Sequence, residues 1–91
     1  MTYKIRAWQA ITTKYLPMVG VKGSRCKATA QCGSVTVSWD NALNVEENHA
    51  AAAQALATKQ GWRGDWHMGA ISTGGYCSVC SDIQPAFEVK S

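Results

Sequence analysis

Four cysteines are the residues with the widest chemical repertoire in this chain. Cys77 and Cys80 are spaced C-x2-C, and Cys26 and Cys32 are spaced C-x5-C. A C-x2-C knuckle is half of a zinc ribbon, which needs a second knuckle of the same kind, and the first pair has the wrong spacing for it. Cys26 falls on the apolar side of an alternating segment, where a free cysteine behaves as a small hydrophobe. Cys77 and Cys80 are an odd number of positions apart, so on one strand they face opposite ways. The preferred reading is four ordinary reduced thiols and no metal, with zinc on Cys26, Cys32, Cys77 and Cys80 as the alternative. Disulfides rank below both. No apolar h-region follows the Met1-Thr-Tyr-Lys-Ile-Arg6 start, so no secretory signal is expected.

The remaining reactive residues do not form a recognisable catalytic set. His49 and His67 lack a partner at ligand spacing. On the inner side of a helix, His49 reads as a hydrogen-bonded boundary residue. Ser72-Thr73-Gly74-Gly75 is a serine-containing turn without a nucleophile-elbow pattern. Asp40, Asp65 and Asp82 are scattered, and the glycines near 20–23 and 74–75 do not make a phosphate-cradling loop. A catalyst is therefore the weakest expectation, and no cofactor or small-molecule substrate is expected.

The charge distribution says more than the net charge of +3. Lys4, Arg6, Lys14, Lys22, Arg25 and Lys27 all precede residue 28, and no Asp or Glu does. The rest of the chain carries Lys59, Arg63 and Lys90 against six acids. A one-sided basic segment is an electrostatic footprint for nucleic acid or for an acidic protein surface, and otherwise a solvated basic face. Lys14, Lys22, Arg25 and Lys27 are the leading contact candidates, followed by Arg6 and Lys4.

These residues need a frame, and 91 residues allow one domain, 1–91. The 46% hydrophobic content suits a folded chain, and no apolar run is long enough to span a bilayer. Residues 3–15 read as a first strand, with Ile11, Thr13 and Tyr15 alternating against Thr12 and Lys14 until Pro17 stops it. Residues 17–24 read as a glycine-hinged loop. Residues 24–39 read as a hairpin turning at Gln31-Cys32-Gly33. Cys26, Ala28 and Ala30 share one face of it, and Arg25 and Lys27 share the other. Asn44, with Glu47 three residues on, predicts a capped helix that runs through an alanine-rich stretch to Gly61. Val45, His49, Ala52, Ala53 and Leu56 form its expected inner face. After a turn-rich 62–66, residues 66–72 and 75–83 predict a second hairpin, with a tail from Pro85.

The expected fold is α+β, in the order β-β-β-α-β-β: a mostly antiparallel sheet with one helix packed on one face. Trp39 belongs in the core of that arrangement. Trp62 and Trp66 either seal one end or anchor a partner, and Trp8 is open to both readings. Tyr3, Trp8 and Tyr15, interleaved with basic residues, are candidates for base stacking.

Three strings carry a resemblance: Ile11-Thr-Thr-Lys-Tyr-Leu-Pro17, Lys22-Gly-Ser-Arg-Cys-Lys-Ala-Thr-Ala30, and Asp40-Asn-Ala-Leu-Asn-Val-Glu-Glu-Asn-His-Ala-Ala-Ala52. With Gly61-Trp62, they resemble small orphan proteins of bacteriophages and other mobile elements. That pattern runs T-K-Y-L-x-x-T-x-x-[KR]-G-S-R-[IV]-K-A and continues into a helix opening A-L-N-x-E-x-N-H. The likeness covers about residues 11–62. The position of Cys26 is aliphatic in that pattern, and the C-terminal hairpin departs from it. In size and compactness the chain also resembles anti-CRISPR proteins. That resemblance implies a stoichiometric inhibitor of a CRISPR-Cas effector complex in the bacterial host cytoplasm that either competes for guide RNA or docks on acidic surfaces of the complex, blocking target DNA. The alternatives are a basic nucleic-acid-binding accessory protein and a zinc-stabilised interaction module.

Overall fold

A computed structural model describes residues 9–80 of the chain. Five strands and one helix follow in the order β1 (Ile11–Leu16), β2 (Arg25–Ala30), β3 (Gly33–Ser38), α1 (Val45–Lys59), β4 (Trp66–Ala70) and β5 (Tyr76–Cys80). The strands form one antiparallel sheet in the spatial order β3-β2-β1-β5-β4. The α+β architecture with one helix on the sheet is therefore the one the alternation and capping signals predict.

Within residues 9–15 the first strand begins only at Ile11, later than the alternation suggested. The stretch between Pro17 and Ser24 is more ordered than a hinged loop. Val19 and Lys22 exchange both backbone hydrogen bonds, at 3.0 and 2.9 Å. Gly20, with φ of 56°, takes the first central position, as glycine does in type II′ turns. Gln31-Cys32 connects β2 to β3, and the positive φ falls on Gly33, which opens β3.

Helix α1 forms for local reasons. The Asn44 side chain accepts from Glu47 N–H at 2.8 Å, and the Glu47 carboxylate accepts from Asn44 N–H at 2.9 Å, which completes the capping box. At the other end Gly61 N–H bonds Thr58 O, and Trp62 N–H bonds Ala57 O. With Gly61 at φ 73°, this is a Schellman termination.

The helix lays small residues on the sheet. Ala52, Ala53, Leu56 and Ala57 meet Ile11, Cys26 and Ala28, and Trp39, Trp62 and Trp66 pack around them, partly buried. Val45 does not join this face, because it is exposed in the first turn. Asn48 takes a place there instead. Its side chain accepts from Asp40 N–H at 2.8 Å and donates to the carbonyls of Asp40, Leu43 and Asn44. One buried amide thus holds the loop that aims the helix at the sheet.

The β1–β5 pairing unites the two hairpins. Gly75 sits beside it, buried, and a methyl group there would overlap the Thr13 carbonyl. Gly75→Ala must push β5 away from β1. We expect it to cost about 1–3 kcal/mol, as overpacking does, read as a lowered urea midpoint; an unchanged midpoint would show that the strands have slack.

Candidate functional site

Among the described residues the helix covers one face of the sheet, and no other helix or strand packs on the opposite face. Cross-strand register places Lys14 directly opposite Lys27, Leu16 opposite Arg25 and Thr12 opposite Thr29. On the far side of β2, Arg25 faces Ser38, Lys27 faces Thr36 and Thr29 faces Ser34. Side chains directly opposite lie on the same face, and Lys14, Lys27, Thr12, Thr29, Ser34, Thr36 and Ser38 are all exposed. This half of the open face is thus a carpet of hydroxyls around three cations.

None of the five strands carries an Asp or Glu. The acids of the described residues lie elsewhere: Asp40 before the helix, Glu46 and Glu47 in its first turn, and Asp65 in the turn before β4. Like charges directly opposite on a sheet are destabilising. Lys14 and Lys27 stand in that relation, and among the described residues no carboxylate on the sheet offsets them. Arg25 is half-buried at the start of β2, and its buried Nε has no hydrogen-bond partner. Lys22 is exposed in the loop beside it.

Of the sequence candidates, Lys14, Arg25 and Lys27 are therefore brought together, with Lys22 at the edge. Lys4 and Arg6 lie outside the described residues, as do Tyr3 and Trp8. Tyr15 is not available for base stacking on this face. It belongs to the helix side, where its hydroxyl meets Ser24 Oγ at 2.9 Å and its ring packs edge-on against Trp39.

The four cysteines are not brought together. Cys26 is in the core, Cys32 is exposed in the β2–β3 turn, Cys77 pairs with Thr12 on the open face, and Cys80 pairs with Trp66 on the helix side. Among the described residues no group of three His, Cys, Asp or Glu side chains is placed to hold a metal ion.

One buried cluster has the composition of a nucleophile and base, and the sequence did not reveal it. His49 Nδ1 shares a hydrogen bond with Thr13 Oγ1 at 2.7 Å and lies 3.6 Å from Cys26 Sγ. Its ring also packs edge-on between Trp39 and Tyr76. His49 is buried rather than at a boundary, and Cys26 is 0% exposed. Burial raises the Cys26 pKa and lowers that of His49. A thiol held protonated and out of contact with solvent is a poor nucleophile. The cluster is a polar tie between α1, β1 and β2.

Two measurements check this role. Thiol reagents should label exposed Cys32 in the folded protein and reach Cys26 only on unfolding; labelling of Cys26 at the same rate as Cys32 would contradict the burial. The pH dependence has a definite sign. His49 binds protons less readily folded than unfolded, so the neutral form stabilises the fold above the ordinary histidine pKa of about 6.5. Stability should fall as pH drops through about 6.5, and His49→Gln should flatten that slope.

A groove of about 410 Å³ runs between α1 and β4, bordered by Ile11, Ala53, Ala57, Trp66 and Met68. It is mainly apolar and contains no cluster of charged groups. Trp62 and Trp66 stack at one end, with ring centroids 5.7 Å apart.

Among the described residues no helix is long and apolar enough to cross a membrane. No family model, curated protein or solved structure matches the chain.

Proposed function

We propose that this protein is a binding protein, not a catalyst, and that its open sheet face docks on the sugar-phosphate backbone of a double-stranded nucleic acid. The observation that carries the reading is the Lys14–Lys27 pair, opposed on a hydroxyl-rich face to which the described residues contribute no acid. Lysine, serine and threonine side chains all make phosphate and sugar contacts, and a phosphate between two lysines removes the repulsion between them. The described strands place no Phe, Tyr or Trp on this face, because Tyr15, Trp66 and Tyr76 lie on the helix side. Single-strand binders rely on such aromatic platforms, so backbone contact to a duplex fits better than base stacking. A gel shift with short DNA and RNA duplexes tests the reading. Binding without sequence preference, lost at high salt, supports it, and no shift at low salt removes it.

A narrower reading rests on the resemblance to mobile-element and anti-CRISPR proteins. There the protein acts in the bacterial cytoplasm as a stoichiometric inhibitor of a CRISPR-Cas effector complex. The basic face would occupy the guide-bearing surface and exclude target DNA. Co-purification with an effector, together with restored plasmid uptake in an interference assay, supports it. Unchanged interference with every effector tried counts against it.

A further inference from the structure

We propose that the open face ends in a discrete phosphate subsite formed by Arg25 and Lys22, with Ser24, Ser38 and Asn41 around them. This deepens the nucleic-acid reading and rests on it.

The loop after β1, the first residue of β2 and the segment after β3 enclose a concavity of about 500 Å³ whose lining includes all five residues. Arg25 enters it from β2, where it pairs with Leu16 on one side and Ser38 on the other. The Arg25 Nε lies within the protein with no acceptor. A buried N–H of a charged group left without a partner is costly, and native structures leave few of them. Nε itself is closed to solvent, so a phosphate in the concavity would bond the terminal guanidinium nitrogens and neutralise the charge there. The guanidinium fork suits two phosphate oxygens at once, and the Lys22 ammonium adds a point charge.

The rest of the pocket is compatible with an anion. Ser24 Oγ and the Tyr15 hydroxyl share one hydrogen bond, which leaves a second hydroxyl hydrogen free to donate. Asp40, the nearest acid in sequence, accepts from Ala42 N–H through its carboxylate and does not line the concavity. The subsite is also pre-formed. Trp39 N–H bonds Ser24 O at 2.9 Å, and the Val19–Lys22 turn holds the loop against the strands. Arg25 points to the same face as Lys27, so one backbone phosphate seated here sets the register for further phosphates along Lys27 and Lys14.

The test is a ¹H–¹⁵N correlation experiment on the full chain, following the Arg25 side-chain Nε–H signal and the backbone amides of residues 22–25 and 38–41. Inorganic phosphate is the first probe, against chloride at matched ionic strength. A duplex with and without a terminal 5′-phosphate is the second. Saturable shifts confined to these signals with phosphate and absent with chloride are expected, and Arg25→Lys, followed through the backbone amides, should bind phosphate about tenfold more weakly. Lys22→Ala, in an exposed loop, provides a second variant that leaves the strand pairing intact and should weaken them severalfold. Equal shifts with chloride, or shifts spread over all lysines, overturn the subsite. If both duplexes perturb Arg25 alike, the seat takes an internal phosphate; a preference for the phosphorylated end means that it takes a terminal one. If the duplex binds but leaves Arg25 unmoved, the subsite falls while the nucleic-acid reading stands; if no duplex binds, both fall.

Discussion

Lys27→Glu should make the folded domain more stable and the binding protein worse. The substitution turns the opposed Lys14–Lys27 pair into an opposite-charge pair at the same register. Cross-strand pairs of that kind stabilise by about 0.2–1 kcal/mol, so the midpoint of thermal unfolding should rise by several degrees in low salt. The same change places a carboxylate among the phosphate contacts, and duplex affinity should drop by at least about tenfold. The two readouts moving in opposite directions separate a lost contact from a damaged fold. A solvated basic face without a partner predicts the gain in stability with no binding to lose. Lys27→Gln should fall between wild type and Lys27→Glu on both scales.

Asn48→Asp should be the most damaging conservative substitution in the chain. The amide donates to three carbonyls and accepts from Asp40 N–H while almost wholly buried. A carboxylate can keep the accepted bond, but it would face the Asp40, Leu43 and Asn44 oxygens with no hydrogen to give. Leaving a buried charge against acceptors costs well above the usual 1–3 kcal/mol of a lost partner. Against a domain stability of about 5–15 kcal/mol, this should bring the protein close to unfolding at neutral pH. Acid should partly rescue the variant, because a protonated carboxyl regains one donor. Asn48→Ala should be milder, at about 2–3 kcal/mol, because it leaves unmet backbone groups without a misplaced charge. Urea melts at two pH values distinguish the variants. An Asn48→Asp protein as stable as wild type at neutral pH would contradict the hydrogen-bond network.

The parts of this fold that were legible in the sequence are those written in local spacing. Alternation placed Arg25 and Lys27 on one face and Cys26 with Ala28 on the other. The Asn44–Glu47 pair marked the start of the helix, and Gly61 marked its end. What was illegible depends on contacts between distant segments. The insertion of β1 between β2 and β5 is one such contact, whereas the Lys14–Lys27 pair continues the register of the Val19–Lys22 turn, whose Gly20 reads from the sequence only as a loop hinge. The inward alternation of Ile11, Thr13 and Tyr15 did hold a clue, since it sends Lys14 outward and removes Tyr15 from the basic face. Asn48 looked like a polar residue on a helix, and its role exists only because the 40–44 loop folds back over it. Val45 matched the periodicity but falls in the first turn, before the helix closes on the sheet. The tie between His49, Thr13 and Cys26 joins three elements far apart in sequence, so spacing rules for ligands and nucleophiles were blind to it.

The most direct test of the basic sheet face is the salt dependence of duplex binding by the unmodified chain. Fluorescence anisotropy of a labelled duplex, recorded between about 50 and 200 mM salt, yields the number of phosphates engaged. Contacts from Lys14, Lys22, Arg25 and Lys27 predict a slope of log affinity against log salt of about −3.6, smaller in magnitude by about one in Lys14→Ala or Lys27→Ala. No binding at the lowest salt, or binding whose slope is unchanged in those variants, would contradict the assignment of this face.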